Sequence, residues 1–277
     1  PDTEKEQLLL EFNAPGSGFT GDQTIVALFD AQVEKNPGET ALVFQQEQLT
    51  YKELNSKANA VAHTLIEKGV VPDSLVLILA ERSVEMVIGI LGAVKAGGCY
   101  IPVDPVFPEE RIAHILSDAK PTIALCTSTT ATKLGTYPHI IIDANSSSDY
   151  PNIRMPASPD NRVYTIYTSG STGVPKAATV FHKGLNSLVD WYTNQFMFDD
   201  NDKILIFSSI SFDLTQRHIF LALSCGGELH LINTSYYEPA KIVHNIESQK
   251  ITYTCCAPSA FYPLVEDVFQ GDNNYRK

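Results

Sequence analysis

Strand-like and helix-like segments alternate along most of these 277 residues, and that alternation leaves few folds open. Ile25, Leu28, Phe29 and Val33 share one stripe of a helix over residues 22–35. Residues 41–44 read as a short strand. Thr50 and Glu53 have the spacing of a capping box, which starts a helix over residues 51–68 with the stripe Leu54, Ala58, Val61 and Leu65; Gly69 closes it. A strand at 75–80 leads to a helix at 84–96, stopped by Gly97 and Gly98, and then to a strand at 100–103. Pro108 opens a helix over 109–119, followed by strands at 122–126 and 140–142. Residues 145–150 and 155–161 have the polar, proline-bearing character of exposed loops. Beyond a strand at 163–167, helices near 184–195, 214–224, 239–249 and 260–269 interleave with strands at 204–208, 228–232 and 252–256. Repeated strand–helix units predict an α/β protein with mostly parallel sheets flanked by helices, and the strands suffice for two sheets. No internal repeat is visible. The final GDNNYRK follows a helix with no closing strand, which reads as a truncated chain or one of two pieces.

Bulk properties exclude several classes. A net charge of −12 argues against a sequence-independent grip on nucleic acid or an anionic membrane. No apolar run reaches the length of a membrane span, and the acidic PDTEKEQ start does not read as a signal peptide. The five cysteines show no CxxC spacing, so free thiols in a reducing, cytoplasmic compartment are expected, with the Cys255-Cys256 pair lining a core strand. HxxxH and HExxH are absent, which argues against a zinc site.

Residues 167–176, YTSGSTGVPK, carry the clearest chemistry. Gly170 and Gly173 let the backbone approach an anion and turn its N–H groups inward; Thr168, Ser169, Ser171 and Thr172 add donors, and Lys176 adds a charge. The loop leaves an apolar strand, where phosphate sites of α/β proteins sit. The alternative is a solvated surface loop. Neither GxxxxGK[ST] nor GxGxxG occurs.

Five segments, taken in order, resemble the adenylate-forming superfamily and, within it, the amino-acid-activating adenylation domains of nonribosomal peptide synthetases. They are LTYKEL (49–54), VKAGGCYIPVDP (94–105), VYTIYTSGSTGVPK (163–176), FDLT (212–215) and EKEQLLLEFNAP (4–15), the last similar to the linker from an upstream condensation domain. The resemblance implies two stacked sheets, with residues 1–20 as that linker and residues 21–48 packing on the second α/β subdomain. Residues 49–190 would form the first subdomain with its phosphate loop, and 191–277 a truncated second one, the C-terminal lid domain being absent. It implies formation of an aminoacyl-adenylate from ATP and an amino acid, and transfer of the acyl group to the phosphopantetheine thiol of a carrier protein.

On the same resemblance, Thr168, Ser169, Gly170, Ser171, Thr172, Gly173 and Lys176 would hold the ATP phosphates, and Asp213 the substrate's α-ammonium group. For Asp213 the competing reading is a helix N-cap. Leu214, Arg217 and Cys255 would line the side-chain pocket. Arg217 facing the cavity would favour an acidic or polar amino acid, since an unpaired buried guanidinium is costly; facing solvent, it would carry no preference. Ala177 and Ala178 stand where the family usually has glycine, implying a stiffer loop exit. The family's Mg2+ ligand, ribose-binding aspartate and catalytic lysine have no counterpart here, so no catalytic residue is assigned and the remaining part of the domain is an expected partner. The alternatives are an acyl-CoA ligase or luciferase-like enzyme, and a non-catalytic binding module of the same fold.

Overall fold

The computed structural model describes residues 2–11, 22–145, 150–153, 158–168, 175–233 and 237–270. An exposed helical stretch, α1 (Asp2–Glu6), continues through Gln7–Glu11. Then come α2 (Ile25–Lys35), β1 (Thr40–Phe44), β2 (Glu47–Thr50), α3 (Tyr51–Glu67), β3 (Leu75–Leu79), α4 (Val84–Lys95), β4 (Cys99–Val103), α5 (Glu109–Ala119), β5 (Ile123–Cys126) and β6 (His139–Ile141). The second half holds β7 (Arg162–Thr168), β8 (Lys176–Phe181), α6 (His182–Phe196), β9 (Lys203–Ile206), α7 (Asp213–Cys225), β10 (Glu228–Leu231), α8 (Pro239–Gln249) and α9 (Pro258–Gln270).

The strands form two sheets, ordered β2-β1-β10-β9 and β6-β5-β3-β4-β7-β8. Both are parallel except at one edge, where β2 runs antiparallel to β1 and β8 antiparallel to β7. The expected α/β fold with two mostly parallel sheets is therefore the fold adopted. Both antiparallel edges escape the sequence pattern. The β1–β2 turn places Gln45 at φ 58, without the glycine or asparagine that usually marks such a turn. β8 is mostly exposed and shows no alternation, so only its pairing with β7 defines it. Residues 252–256 are not the predicted strand. Pairing with β9 begins at the Ile204–Tyr253 bridge and goes no further, which leaves Cys255 and Cys256 half-buried off the sheet.

Local signals and packing agree at the centre. Thr50 Oγ1 accepts the Glu53 N–H at 3.2 Å and the Thr50 N–H donates to Glu53 Oε2 at 2.9 Å, the reciprocal cap expected for α3. Gly69 follows that helix at φ +89, a conformation that strains any side chain. α4 is buried on every face, as a helix apolar all round must be. Gly92 lets it approach α3: a Cβ there would meet Val61 Cγ1 at 2.6 Å. One core joins both sheets through Leu42, Leu229 and Ile204 on one side and Val76 and Ile78 on the other. Their alternating neighbours Leu77 and Leu79 pack with Ile112 and Ile115 of α5.

Two histidines are buried in neutral form. His182 Nδ1 accepts the Ile25 N–H at 3.4 Å, tying α6 to α2. Burial pushes His182 down to about 4, against the opposing pull of Asp73, and burial with the neighbouring Arg217 pushes His218 down to about 3. Both folded values lie below the ordinary histidine value of about 6.5, so the unfolded chain binds more protons in between. Their stabilising contribution is complete above pH ~6.5 and is lost as pH falls toward about 4 for His182 and about 3 for His218. At pH 5 the loss is about 2 kcal/mol per histidine. Urea midpoints at pH 7.5 and 5.0 should show that loss, and His182→Gln should remove about half of it. Identical midpoints at the two pH values would refute this account.

Candidate functional site

β7 ends at Thr168 and β8 starts at Lys176, and the two are register partners, with Thr168 Oγ1 donating to the Lys176 carbonyl at 3.4 Å. β7 and β8 thus form an antiparallel pair at the edge of the larger sheet, the two arms of a hairpin. Ser169, Gly170, Ser171, Thr172 and Gly173 lie outside the described residues. Both arms end exposed, so the Lys176 ammonium and the Thr168 hydroxyl are available at the mouth of the hairpin. Ala177 and Ala178 belong to β8 and pair with Tyr167 and Ile166.

Below this hairpin lies a cavity of about 650 Å³. The β7–β8 face contributes Tyr164, Ile166, Thr168 and Val180, the segment after β4 contributes Asp104, Phe107 and Arg111, and the approach to α7 contributes Ser209, Ser211 and Asp213. The end of the predicted phosphate strand and the predicted ammonium partner therefore open into one space.

A network of hydrogen bonds fixes Asp213 there. Ser209 Oγ donates to Asp104 Oδ2, the Asp104 N–H donates to Ser211 Oγ at 3.0 Å, and Ser211 Oγ donates to the Pro102 carbonyl at 3.1 Å. From α7, Thr215 Oγ1 donates to the Ser209 carbonyl at 2.8 Å and the Gln216 amide to that of Ile210. Gln216 is itself held by Tyr100, whose hydroxyl donates to its Oε1 at 2.6 Å. Asp213 is the first residue of α7, not its cap; Phe212 holds the cap position, and among the described residues the carboxylate accepts only the adjacent Leu214 N–H, at 2.8 Å. It remains exposed, with acceptor capacity directed at the cavity. A carboxylate in this position suits an ammonium partner. Burial raises the neighbouring Tyr164 to about 12, with Asp213 adding and Arg217 opposing, so the phenol stays protonated.

Leu214, Arg217 and Cys255 are not part of that cavity wall. Leu214 and Cys255 are half-buried. Arg217 neither enters the cavity nor extends into water. Its Cζ stacks 4.2 Å from the Tyr192 ring centre, and Nη1 donates to the Tyr192 hydroxyl at 2.7 Å. Tyr253 connects this arginine to Cys255: burial raises it to about 12, Arg217 opposes and Cys255 adds.

Two cavity residues carry no signal of their own in the sequence. Asp104 belongs to the VKAGGCYIPVDP segment, and Arg111, just beyond it, stacks 3.8 Å over Phe107. A second cavity of about 380 Å³ is lined by Glu81, Arg82, Lys133 and Asn233. Its charges are spent on structure: Arg82 bonds the carbonyls of Phe207, Ser208 and Ile232, Lys133 that of Pro105, and Glu81 accepts from Thr127 and Thr129. Among the described residues no group of three or more His, Cys, Asp or Glu side chains is placed to hold a metal ion, and no helix is long and apolar enough to cross a membrane.

The family described as AMP-binding enzyme matches residues 29–276. Bacitracin synthase 3 of Bacillus licheniformis is 36% identical over 278 residues, a match that covers 99% of this chain and 4% of that protein. Tyrocidine synthase 3 of Brevibacillus parabrevis is 36% identical over 271 residues, covering 95% of this chain and 4% of its own length. Among solved structures, the nonribosomal peptide synthetase FmoA3 superposes with a TM-score of 0.88. Its AMPPNP-bound form is 28% identical, with 95% of this chain and 28% of that chain covered. Its α-methyl-L-serine-AMP-bound form is 27% identical, with 95% and 30% covered. The chain therefore spans a small part of each relative.

Proposed function

The chain belongs to the AMP-binding enzyme family, and from that premise we propose that it carries the ATP-phosphate and amino-acid sites of an adenylation domain in nonribosomal peptide synthesis. The observation that carries this reading is the shared cavity, which has Thr168 at one end and Asp213 at the other. FmoA3, which holds AMPPNP in one form and α-methyl-L-serine-AMP in another, supports it.

In this reading Thr168 and Lys176, with Ser169 to Gly173 between them, bind the phosphates of ATP. The Lys176 ammonium offsets phosphate charge, and Asp213 anchors the substrate's α-ammonium so that its carboxylate faces the nucleotide. The resemblance would put Leu214, Arg217 and Cys255 at the side-chain end of the substrate, outside the wall of this cavity. ATP would supply the adenylyl group that activates the carboxylate, with pyrophosphate as the leaving group and Mg2+ held by residues beyond these. The acyl group then passes to a carrier-protein thiol. Residues 1–20 serve as the linker to a condensation domain, and the 49–190 and 191–277 stretches as the two subdomains of a cytoplasmic enzyme.

The test is substrate-dependent ATP–pyrophosphate exchange by the natural polypeptide that carries this chain, across amino acids and fatty acids. Exchange with an amino acid is expected. Turnover confined to fatty acids with coenzyme A would replace this reading by an acyl-CoA ligase, and silence with every substrate by a non-catalytic module.

A further inference from the structure

We infer that Arg111 is a further phosphate-binding residue, whose guanidinium grips the polyphosphate tail of ATP from the α5 wall of the cavity; this rests on the adenylation reading above. β4 runs parallel to β7, with Tyr100 beside Tyr164, so both strands end at one edge of the sheet, the edge where open α/β sheets bind ligands. There β4 leads through the Asp104 turn into α5, and Arg111 is the third residue of that helix. The positive end of the helix dipole disfavours a cation at that place, so helix stability does not account for the arginine. α5 is held against the end of β7. Ile112 and Ile115 pack in one cluster with Tyr167, Phe107 lies against that cluster, and the Tyr167 hydroxyl donates to Asp118 Oδ2 at 2.6 Å. Arg111, Ile115 and Asp118 share one stripe of the helix. That stripe meets β7 at Tyr167, next to Thr168, whereas Asp213 neighbours Tyr164, about 10 Å back along the strand. The guanidinium thus stands toward the phosphate end of the cavity and the carboxylate toward the ammonium end.

Among the described residues Arg111 is the only cation in this cavity wall. It makes no hydrogen bond or ion pair with any of them, and its Nε–H is buried without a partner. What holds it is the Phe107 ring, 3.8 Å from Cζ. The stack fixes the plane of the guanidinium and satisfies none of its N–H donors. The two carboxylates of the wall do not answer it: Asp104 accepts from Ser209 Oγ and from the Val106 N–H at 3.0 Å, and Asp213 from Leu214. A planar fork with a full charge and open donors suits phosphate oxygens, which it takes two at a time. The ligand makes the matching demand. A polyphosphate entering a wall that already carries two carboxylates needs positive charge inside it, and Lys176 stands outside the wall, exposed at the mouth of the hairpin.

The experiment measures ATP–pyrophosphate exchange and ATP binding by the natural polypeptide, for the wild type, Arg111→Met, Arg111→Lys and Phe107→Leu. Methionine keeps the apolar volume of the stem and loses the charge. Arg111→Met should raise KM for ATP and for pyrophosphate about 30-fold, and the Kd of ATP alone by as much. The amino-acid KM should stay within about twofold of wild type and the urea midpoint should not move. Arg111→Lys, which keeps the charge without the fork, should lose about fivefold, and Phe107→Leu, which removes only the stack, about threefold. A raised amino-acid KM with ATP unaffected would assign Arg111 to the substrate carboxylate. Intact exchange with slowed transfer to the carrier thiol would assign it to the phosphodiester of the phosphopantetheine arm. Either result overturns the inference, as does an Arg111→Met variant that loses every function alike with a lowered urea midpoint, the mark of a purely structural stack. Amino-acid-dependent exchange that all the Arg111 variants leave unaltered sinks this role alone. A wild type that binds no ATP and is silent with every amino acid sinks the adenylation reading beneath it.

Discussion

Replacing Asp30 with alanine should destabilise the protein by about 3–5 kcal/mol, toward the lower end of that range. Lys95, from the VKAGG segment, reaches Asp30 Oδ1 at 2.5 Å, with side-chain exposures of 1% for the lysine and 23% for the aspartate. Burial lowers the Lys95 pKa, and Asp30 only partly opposes it. The ammonium lies 5.4 Å from the Phe29 ring centre, so removing the carboxylate leaves it facing an aromatic wall. It must then stay charged in an apolar site or surrender its proton. The moderating factor is the residual exposure of Asp30, which lets water reach the vacated space. Adding Lys95→Met should recover most of the loss, because the thioether fills the volume of the lysine stem and leaves no charge to satisfy. Urea unfolding of the wild type, the Asp30→Ala and Lys95→Met single variants and the double variant forms the cycle. An Asp30→Ala midpoint indistinguishable from wild type would show that the pair contributes nothing.

Asp30 is on α2 and Lys95 ends α4, just before β4 and the Asp104 turn. The ion pair therefore fixes α2 to the end of α4.

What can be read from the sequence is what local physics writes. The Thr50–Glu53 cap, the glycine stop after α4 and the apolar runs of β3 and β5 each depend on residues close in the chain, and each is present. β2 and β8 are edge strands that exist because a neighbour offers hydrogen bonds, so neither has a pattern of its own. Residues 252–256 show the converse, a β-like composition whose partner strand pairs at one bridge only. The site divides in the same way. Thr168, Lys176 and Asp213 stand out through motifs. Asp104 gives no sign that it braces the Asp213 turn, because its partners Ser209 and Ser211 are more than 100 residues away. For Arg217 the sequence offers a choice between cavity and solvent. Its actual partner is Tyr192, on the preceding helix, and no spacing rule encodes that contact.

Asp213→Ala should reduce kcat/KM for amino-acid-dependent exchange by about 100-fold, equivalent to roughly 3 kcal/mol of transition-state stabilisation. The same change should alter folding stability by less than about 1 kcal/mol. Asp213 is exposed, and among the described residues its carboxylate accepts only the next residue's N–H. Its structural share is then the modest attraction of an acidic residue for a helix N-terminus. The loop that presents it is fixed by Asp104, Thr215 and Gln216, so the cavity keeps its shape without the carboxylate. The loss should appear largely in KM, since an ammonium already bound in the ground state forfeits its partner before any bond changes. Asp213→Asn should fall nearly as far, because the amide keeps an acceptor oxygen but not the charge. A variant with unchanged urea midpoint and collapsed amino-acid exchange separates this role from a structural one. Undiminished exchange in Asp213→Ala would remove the anchor from the site and require the substrate ammonium to be bound elsewhere.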